Sequence, residues 1–473
     1  MNRKTLIAAF AAVLFGLLQP TVAEAGGLVT NTNQNIRFVR MLARDASTDI
    51  DAIFANPAGT AFLDEGFYLS LNAQTIKQER IITSTFPMFE NGQKEFKGKT
   101  FVPVYPQIDV AYKKGDWTFS AALSVIGGGG QCEFDNGLPM FEASISTLPA
   151  LLTKMGIPTS KYSVDIYLNG EQYTYSAQLG AARALSEMVS VYAGMRLNWV
   201  RNHYDGYIRD IRINPMTAAN PLAGMMAAPD FFDMLSASMA QVDPATAALA
   251  AGYAKATSNM DLDMDQNGFG ITPIFGIDVK TGKWNFGLKY EMNTDIETKN
   301  ETKINTLPAG KKEPYDDGVK TAGDIPAMVT IGASYEILDD LRAAVGYHHY
   351  FDNHANLPSD REHHIDHGIN EYMWGLEWDC TDRITVSGGM QFTKAGVQDA
   401  YQSDLNFSLT SYSFGFGGEY KLTPRTTINA GYFCTKYDHW DVAYANFNGT
   451  GIPGSTDYYR TSNTFGLGVD FKF

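Results

Sequence analysis

Every second residue of "TFGLGVDFKF" is apolar. Phe465, Leu467, Val469, Phe471 and Phe473 alternate with Gly466, Gly468, Asp470 and Lys472. A period of two puts one set on each face of an extended strand. The pattern recurs along the chain. In "KWNFGLKYEMN", Trp284, Phe286, Leu288 and Tyr290 alternate with Asn285, Gly287, Lys289 and Glu291. In "MVSVYAGMRLNWV", Val191, Met195, Leu197 and Trp199 share a face opposite Ser190, Arg196 and Asn198. "EYMWGLEWD" aligns Tyr372, Trp374, Leu376 and Trp378, and "SYSFGFGGEY" aligns Tyr412, Phe414, Phe416 and Tyr420.

Tight polar turns separate some of these segments: "KKGD" (113–116), "LSEM" (185–188), "KTGK" (280–283), "LDD" (338–340), "DCTDR" (379–383) and "LTPR" (422–425). They read as hairpin connections. The other links are long, at 80–100, 128–169, 203–263, 298–322, 352–368, 395–406 and 438–460. Short and long links alternate, which predicts fourteen strands: 67–79, 102–113, 116–127, 170–184, 188–202, 264–279, 284–297, 324–337, 341–351, 370–379, 384–394, 407–421, 425–437 and 461–473. Most are as long as a tilted strand needs to cross a bilayer.

Lipid on one face and a polar lumen on the other produce this alternation. Short turns on one side and long loops on the other are the mark of an outer-membrane barrel. The expected fold is all-β: a fourteen-stranded antiparallel transmembrane barrel over 67–473, with partly helical extracellular loops. The last strand closes on the first, which removes the edges. Phe465, Leu467, Val469 and Phe471 should face lipid, and Asp470→Asn, on the lumen face, should be mild. A soluble secreted β-protein, such as a propeller or double sandwich, is the competing fold.

Composition narrows the classes. A net charge of −15 argues against a nucleic-acid partner. No segment after the N-terminal leader is a run of apolar residues long enough for a spanning helix. The start, "MNRKTLIAAFAAVLFGLLQPTVAEAGG", has a basic Arg3-Lys4, an apolar Thr5–Leu18 and an Ala23-Glu24-Ala25 site. It reads as a signal peptide, 1–25, cut near Ala25/Gly26. The expected location is the outer membrane of a Gram-negative cell. Lipids, the barrel-assembly machinery and a hydrophobic ligand are the expected partners, for a monomer. Cys132, Cys380 and Cys434 give neither a disulfide framework nor zinc spacing.

Residues 26–66 precede the first strand, on the side of the short turns. A lumen of fourteen strands is too wide for side chains alone to fill. This segment, with its mixed helical stretch "QNIRFVRMLARDASTDIDAIF", is the natural plug.

In "DIDAIFANPAGTAFLDEGFYLSLNA", Asp49-Ile50-Asp51-Ala52 followed by Asn56-Pro57-Ala58-Gly59 resembles the hatch motif of the FadL/TodX family. Those proteins are outer-membrane transporters of long-chain fatty acids and aromatic hydrocarbons. "DIPAMVTIGASYEILDDLRAAVGYHHYF", "QDAYQSDLNFSLTSYSFGFGGEYKLTPRTTINAGYF" and "TFGLGVDFKF" are similar to that family too. The resemblance implies that extracellular loops catch the ligand and pass it to a pocket in the barrel. Movement of the hatch then releases it sideways, through a gap at an inward kink in the third strand. The kink would fall at Val125, Ile126, Gly127 and Gly128, where the glycines of "VIGGGG" suit a bend or bulge, or equally the start of a flexible loop. Asn56–Ala58 would sit against it, near Val125 to Gly128.

Other candidates come from the residues themselves. The 203–263 loop carries Leu222, Met225, Met226, Phe231 and Phe232 at helical spacing, and Met and Phe surfaces adapt to varied apolar ligands. Packing over the barrel mouth is the alternative role. The 128–169 loop, with "LPMFEASISTLPALLTKMGIP", reads the same way. Lumen-facing Arg196 and Lys289 could meet a ligand carboxylate, or pair with Glu291, Glu377 or Asp109. Six of the eight histidines (His348, His349, His354, His363, His364 and His367) crowd one loop. Beside Asp352, Asp360, Glu362 and Asp366 they could bind zinc or copper, but a hydrated loop is their simpler role, and no metal or cofactor is expected. Catalytic motifs such as G-x-S-x-G and the Walker A loop are missing, so the protein is not expected to be an enzyme. An adhesin-like barrel, a general diffusion pore and, third, a lipid hydrolase are the alternatives to a transporter.

Overall fold

The computed structural model describes residues 28–473 apart from 32, 219 and 309–312. The signal peptide and its cleavage site lie outside the described residues. Fourteen strands form the barrel wall. They are β1 (Gly66–Thr85), β2 (Gln93–Lys114), β3 (Trp117–Phe134), β4 (Tyr162–Ala184), β5 (Val189–Ile213), β6 (Met260–Thr281) and β7 (Trp284–Glu291). The rest are β8 (Met328–Leu338), β9 (Leu341–Tyr350), β10 (Asn370–Thr381), β11 (Ile384–Lys394), β12 (Ser411–Thr423), β13 (Thr426–Tyr437) and β14 (Gly454–Lys472). Each pairs antiparallel with its sequence neighbour. The ring closes by β1 on β14, with a register running from Tyr68↔Lys472 to Thr85↔Ser455.

The alternation sorts as expected. Leu71, Phe119, Leu179, Trp199, Phe275, Leu288, Trp374, Phe416 and Leu467 are exposed on the outer face. Their inward neighbours, such as Ser70, Gln178, Asn198 and Thr464, are buried. An exposed apolar surface that encircles a barrel is stable in lipid, not in water. Val469 is paired with Leu71 and Ile428 in this belt. Val469→Arg should destabilise the barrel by about 2–4 kcal/mol near the midplane, and Val469→Leu should be neutral. Urea unfolding in liposomes measures both, and equal midpoints would contradict the lipid assignment.

The strand ends differ from those expected. β4 begins at 162 and β5 runs to 213, well beyond the expected 170 and 202. Above the belt the outer face meets water, so the apolar half of the alternation is lost although pairing continues. Tyr167 stacks on Tyr207 there at 5.7 Å, and Arg209 lies over Tyr207 at 4.4 Å. β7 stops at Glu291, and the wall resumes along β6 as Glu297–Asn305, which also pairs with Lys320–Ala322.

The long loops fold into a cap with a core of its own. Helices α3 (Pro139–Ser146) and α4 (Leu148–Lys154) come from one loop, and α5 (Ala228–Met239) and α6 (Pro244–Ala256) from another. Two shorter helices, α1 (Ile36–Arg40) and α2 (Ala52–Ala55), belong to the N-terminal segment.

Candidate functional site

The N-terminal segment fills the barrel, and its seat explains the glycines in the wall. Gly466 faces Ile36, Gly431 and Gly415 face Val39, Gly389 faces Leu42, and Gly346 and Gly332 face Asp45. A Cβ at Gly415 would come within 2.4 Å of the Val39 carbonyl oxygen. These small positions form a track on which the plug backbone lies directly against the wall.

Polar groups fasten the plug to the rest of the ring. The Ile36 N–H donates to Asn72 of β1, and Asn35 Nδ2 donates to Asp109 of β2 at 2.9 Å. Gln178 of β4 donates to the Ile53 carbonyl, and Ser190 of β5 to the Ala58 carbonyl. Two arginines anchor the other side. Arg37 pairs with Glu419 and Asp470 at 2.9 and 3.0 Å. Arg40 pairs with Glu377 and Glu419 at 2.5 and 2.8 Å. Arg44 pairs with Asp51 at 2.7 Å within the plug itself. Asp470 also accepts from Ser70 and Asn429. Asp470→Asn therefore removes a buried charge partner of Arg37 and should not be mild.

The Asn56-Pro57-Ala58-Gly59 stretch is inside the barrel but not beside β3's kink. Asn56 Nδ2 donates to the Ile277 carbonyl and the Asp278 carboxylate of β6, at 3.0 and 3.1 Å. Ala58 packs with Ala182, Tyr192 and Ile274. Pro57 starts the short helix 57–62, which fixes this path. The plug segment that reaches the kink comes earlier, at residues 28–31.

There the wall is broken. β2 and β3 pair at Lys99↔Glu133 and again at Ile108↔Leu123, with no ladder between. On the β3 side, Gly128 and Gly130 have φ of +80° and +78°, and the register on β4 slips on both sides of Gly127. On the β2 side, Pro103 and Pro106 have no N–H to give. Those two prolines are a sequence signal that hydrophobic alternation does not weigh. The opening is filled by Val102, Tyr105 and Val125. Asn31 closes it: its Nδ2 donates to Tyr105 and to the Gly128 carbonyl at 2.5 and 2.6 Å, and its N–H to the Ile126 carbonyl at 2.8 Å.

The same segment divides the lumen. Leu28 and Val29 line an upper cavity with Gly128, Gln172, Asn202 and Tyr204. Thr30, Asn31 and Asn33 line a lower one, whose apolar wall is Phe38, Phe54, Ile126, Ile325, Met328 and Tyr350. Its polar end holds Arg196, Lys289, Glu291, His348 and Glu371. Arg196 and Lys289 both engage Glu291, at 2.6 and 2.8 Å.

The loop candidates fall elsewhere. Phe231 and Phe232 are buried in the cap core, with Phe232 stacked on Tyr253 at 5.1 Å. Met226 packs against that core, while Leu222 is 93% exposed and Met225 lies at the surface. An apolar groove does open in the cap, but its walls are Phe141, Ile166, Leu168, Ile208, Met260, Leu262 and Leu307. The histidines scatter: His348 points into the lumen, His349 bonds Asn370 and His363 is exposed. Among the described residues no group of three or more His, Cys, Asp or Glu is placed to hold a metal ion.

The described residues thus form a closed fourteen-stranded barrel, plugged by the N-terminal segment and breached beside that plug. No family model matches the sequence, and no characterised protein matches it at the sequence level. Solved structures do match. A Pseudomonas aeruginosa FadL homologue is 14% identical, with 95% of this chain and 100% of that one covered and a TM-score of 0.61. The P. putida toluene transporter TodX is 15% identical over 90% of this chain and 94% of its own, at 0.56. The Ralstonia pickettii toluene transporter TbuX is 14% identical over 90% and 94%, at 0.52. The fold is thus the FadL/TodX type of barrel.

Proposed function

We propose that this protein is an outer-membrane transporter that takes up hydrophobic small molecules by diffusion, without nucleotide or cofactor. The ligand partitions first into the apolar groove of the cap, at Phe141, Ile166 and Leu262. It moves to the lumen cavities, and displacement of residues 28–31 opens the breach between β2 and β3. The ligand then leaves sideways into the membrane, along the outward Phe101 and Val104. The observation that carries this reading is the stretch of wall where β2 and β3 do not pair, which the plug's Asn31 and nearby side chains seal. An unpaired stretch within lipid is costly unless protein covers it, so it is a feature with a use. The toluene transporters of like fold support the hydrophobic ligand class.

Gly128→Val tests the route. A Cβ there would lie 2.1 Å from the Gln172 carbonyl oxygen, at a φ that valine does not adopt, so β3 must leave the kinked path. Uptake of toluene by cells should fall to that of cells lacking the protein, while heat-modifiable gel mobility shows a folded barrel. Unchanged uptake by a folded variant would rule out this exit.

A further inference from the structure

We propose that the lower lumen cavity selects uncharged hydrophobic molecules and excludes carboxylates, and that Glu291 is the residue that sets this selectivity. The inference rests on the transport reading above and names its substrate class.

The two cations that could greet an acid are already engaged. Glu291 Oε2 accepts from Arg196 Nη1 at 2.6 Å, and Glu291 Oε1 from Arg196 Nη2 at 3.0 Å. Such a bidentate pair is among the strongest arrangements a carboxylate can have. Gln178 Oε1 takes further guanidinium N–H groups at 2.8 and 3.2 Å. Lys289 Nζ donates to Glu291 at 2.8 Å and to the Phe54 carbonyl at 2.9 Å. Phe54 also covers both heads, its ring centre 5.2 Å from Arg196 Cζ and 5.5 Å from Lys289 Nζ. All three charged side chains are buried.

Two cations on one carboxylate leave a positive charge, which His348 and its two acids at the same polar end offset. His348 Nδ1 faces Glu371 at 2.9 Å, and its Nε2 faces Asp45 at 2.8 Å. With Glu371 and Asp45 ionised, both ring nitrogens must donate as N–H, and the ring is a cation. Arg196, Lys289 and His348 are then matched by Glu291, Glu371 and Asp45, and the remaining lining charge, Arg44, is held by Asp51. A fatty-acid carboxylate would arrive as an uncompensated charge, beside carboxylates fixed on the wall and the plug. Desolvating it there is costly, whereas an uncharged chain or ring packs on Phe38, Phe54, Ile126 and Met328 at no such cost.

The test compares two probes of one chain length, dodecanol and laurate, on the full chain in nanodiscs at pH 7.5. Wild type should bind dodecanol roughly tenfold or more tightly than laurate, the ratio that 1.4 kcal/mol of head-group penalty gives. Glu291→Gln should shift the ratio toward laurate, in a salt-dependent way, and adding Lys289→Met should reverse the shift. Equal binding of the probes by wild type would overturn the selectivity and leave the transport reading standing. Failure of wild type to bind either would overturn both. An unchanged ratio in a folded Glu291→Gln protein would remove Glu291 from the role. The wild-type comparison needs no variant, so a folding defect cannot shield the proposal.

Discussion

Arg40→Met should unplug the barrel without unfolding it. Arg40 is completely buried and bridges two wall carboxylates, Glu377 of β10 and Glu419 of β12, while Ser387 of β11 accepts from it at 2.7 Å. Losing one partner of a buried ionic cluster strands the others and costs about 3–5 kcal/mol. Arg342 still reaches Glu377, and Arg37 still reaches Glu419, so the lower part of that range applies. The wall does not share the loss, because its ladders close on themselves from β1 to β14. The expected result is a large ion conductance in planar bilayers and greater sensitivity of cells to bulky antibiotics. Gel mobility should still report a folded barrel. The triple change Arg40→Met, Glu377→Gln and Glu419→Gln should recover part of the seal, since it removes the stranded charges along with the arginine. Wild-type conductance in Arg40→Met would mean that backbone packing on the glycine track holds the plug by itself.

Strand number, facing and the asymmetry of the links were legible because each depends on local alternation. Leu467 lies outside and Asp470 inside for the reason visible in "FGLGVDFKF". The glycines in that string were legible only as positions that are not apolar. Their cause, the nearness of Ile36 to Gly466, belongs to residues more than four hundred positions away in sequence. The plug motif located the plug but not its seat, because which strand Asn56 meets depends on how far the chain turns between 33 and 56. For Phe231 and Phe232 the sequence left two roles open, ligand contact and packing over the mouth. Helical apolar spacing identifies a buried face, and that face packs on Tyr253 of α6. Glu291 was one of three lumen acids that the alternation offered to Arg196; choosing it needs the register of β5 on β6 and of β6 on β7, which no single segment encodes. The breach could have been read from Pro103 and Pro106 together with the glycines of β3, two short signals that meet only once the strands are set side by side.

The cap should be tighter at pH 5 than at pH 8, and two loop carboxylates give the sign. Burial pushes Asp404 up to about 6, against the Met140 N–H, the Tyr458 hydroxyl and the Arg80 charge, which favour its ionised form. Burial likewise pushes Asp352 up to about 6, with Glu371 adding to the rise and the Ile369 and Leu28 N–H groups opposing it. Their ordinary value is 3.8, so the ordered cap binds protons more tightly than the opened one. The stabilisation is fully present below that value and is lost as pH rises through about 6, on the order of 3 kcal/mol per group at most. Asp404 ties the 395–410 loop to the start of α3, with its Oδ2 at 2.8 Å from Met140 N. Asp352 ties β9's end to β10 through Ile369 N, also at 2.8 Å. Amide hydrogen exchange at Met140 and Ile369, corrected for the intrinsic pH dependence of exchange, should therefore slow between pH 8 and pH 5. Asp404→Asn and Asp352→Asn keep an acceptor oxygen but cannot titrate, so each should flatten the dependence at its own amide. Faster corrected exchange at pH 5 would show that both carboxylates stay ionised in the closed cap, held there by the N–H groups they accept from.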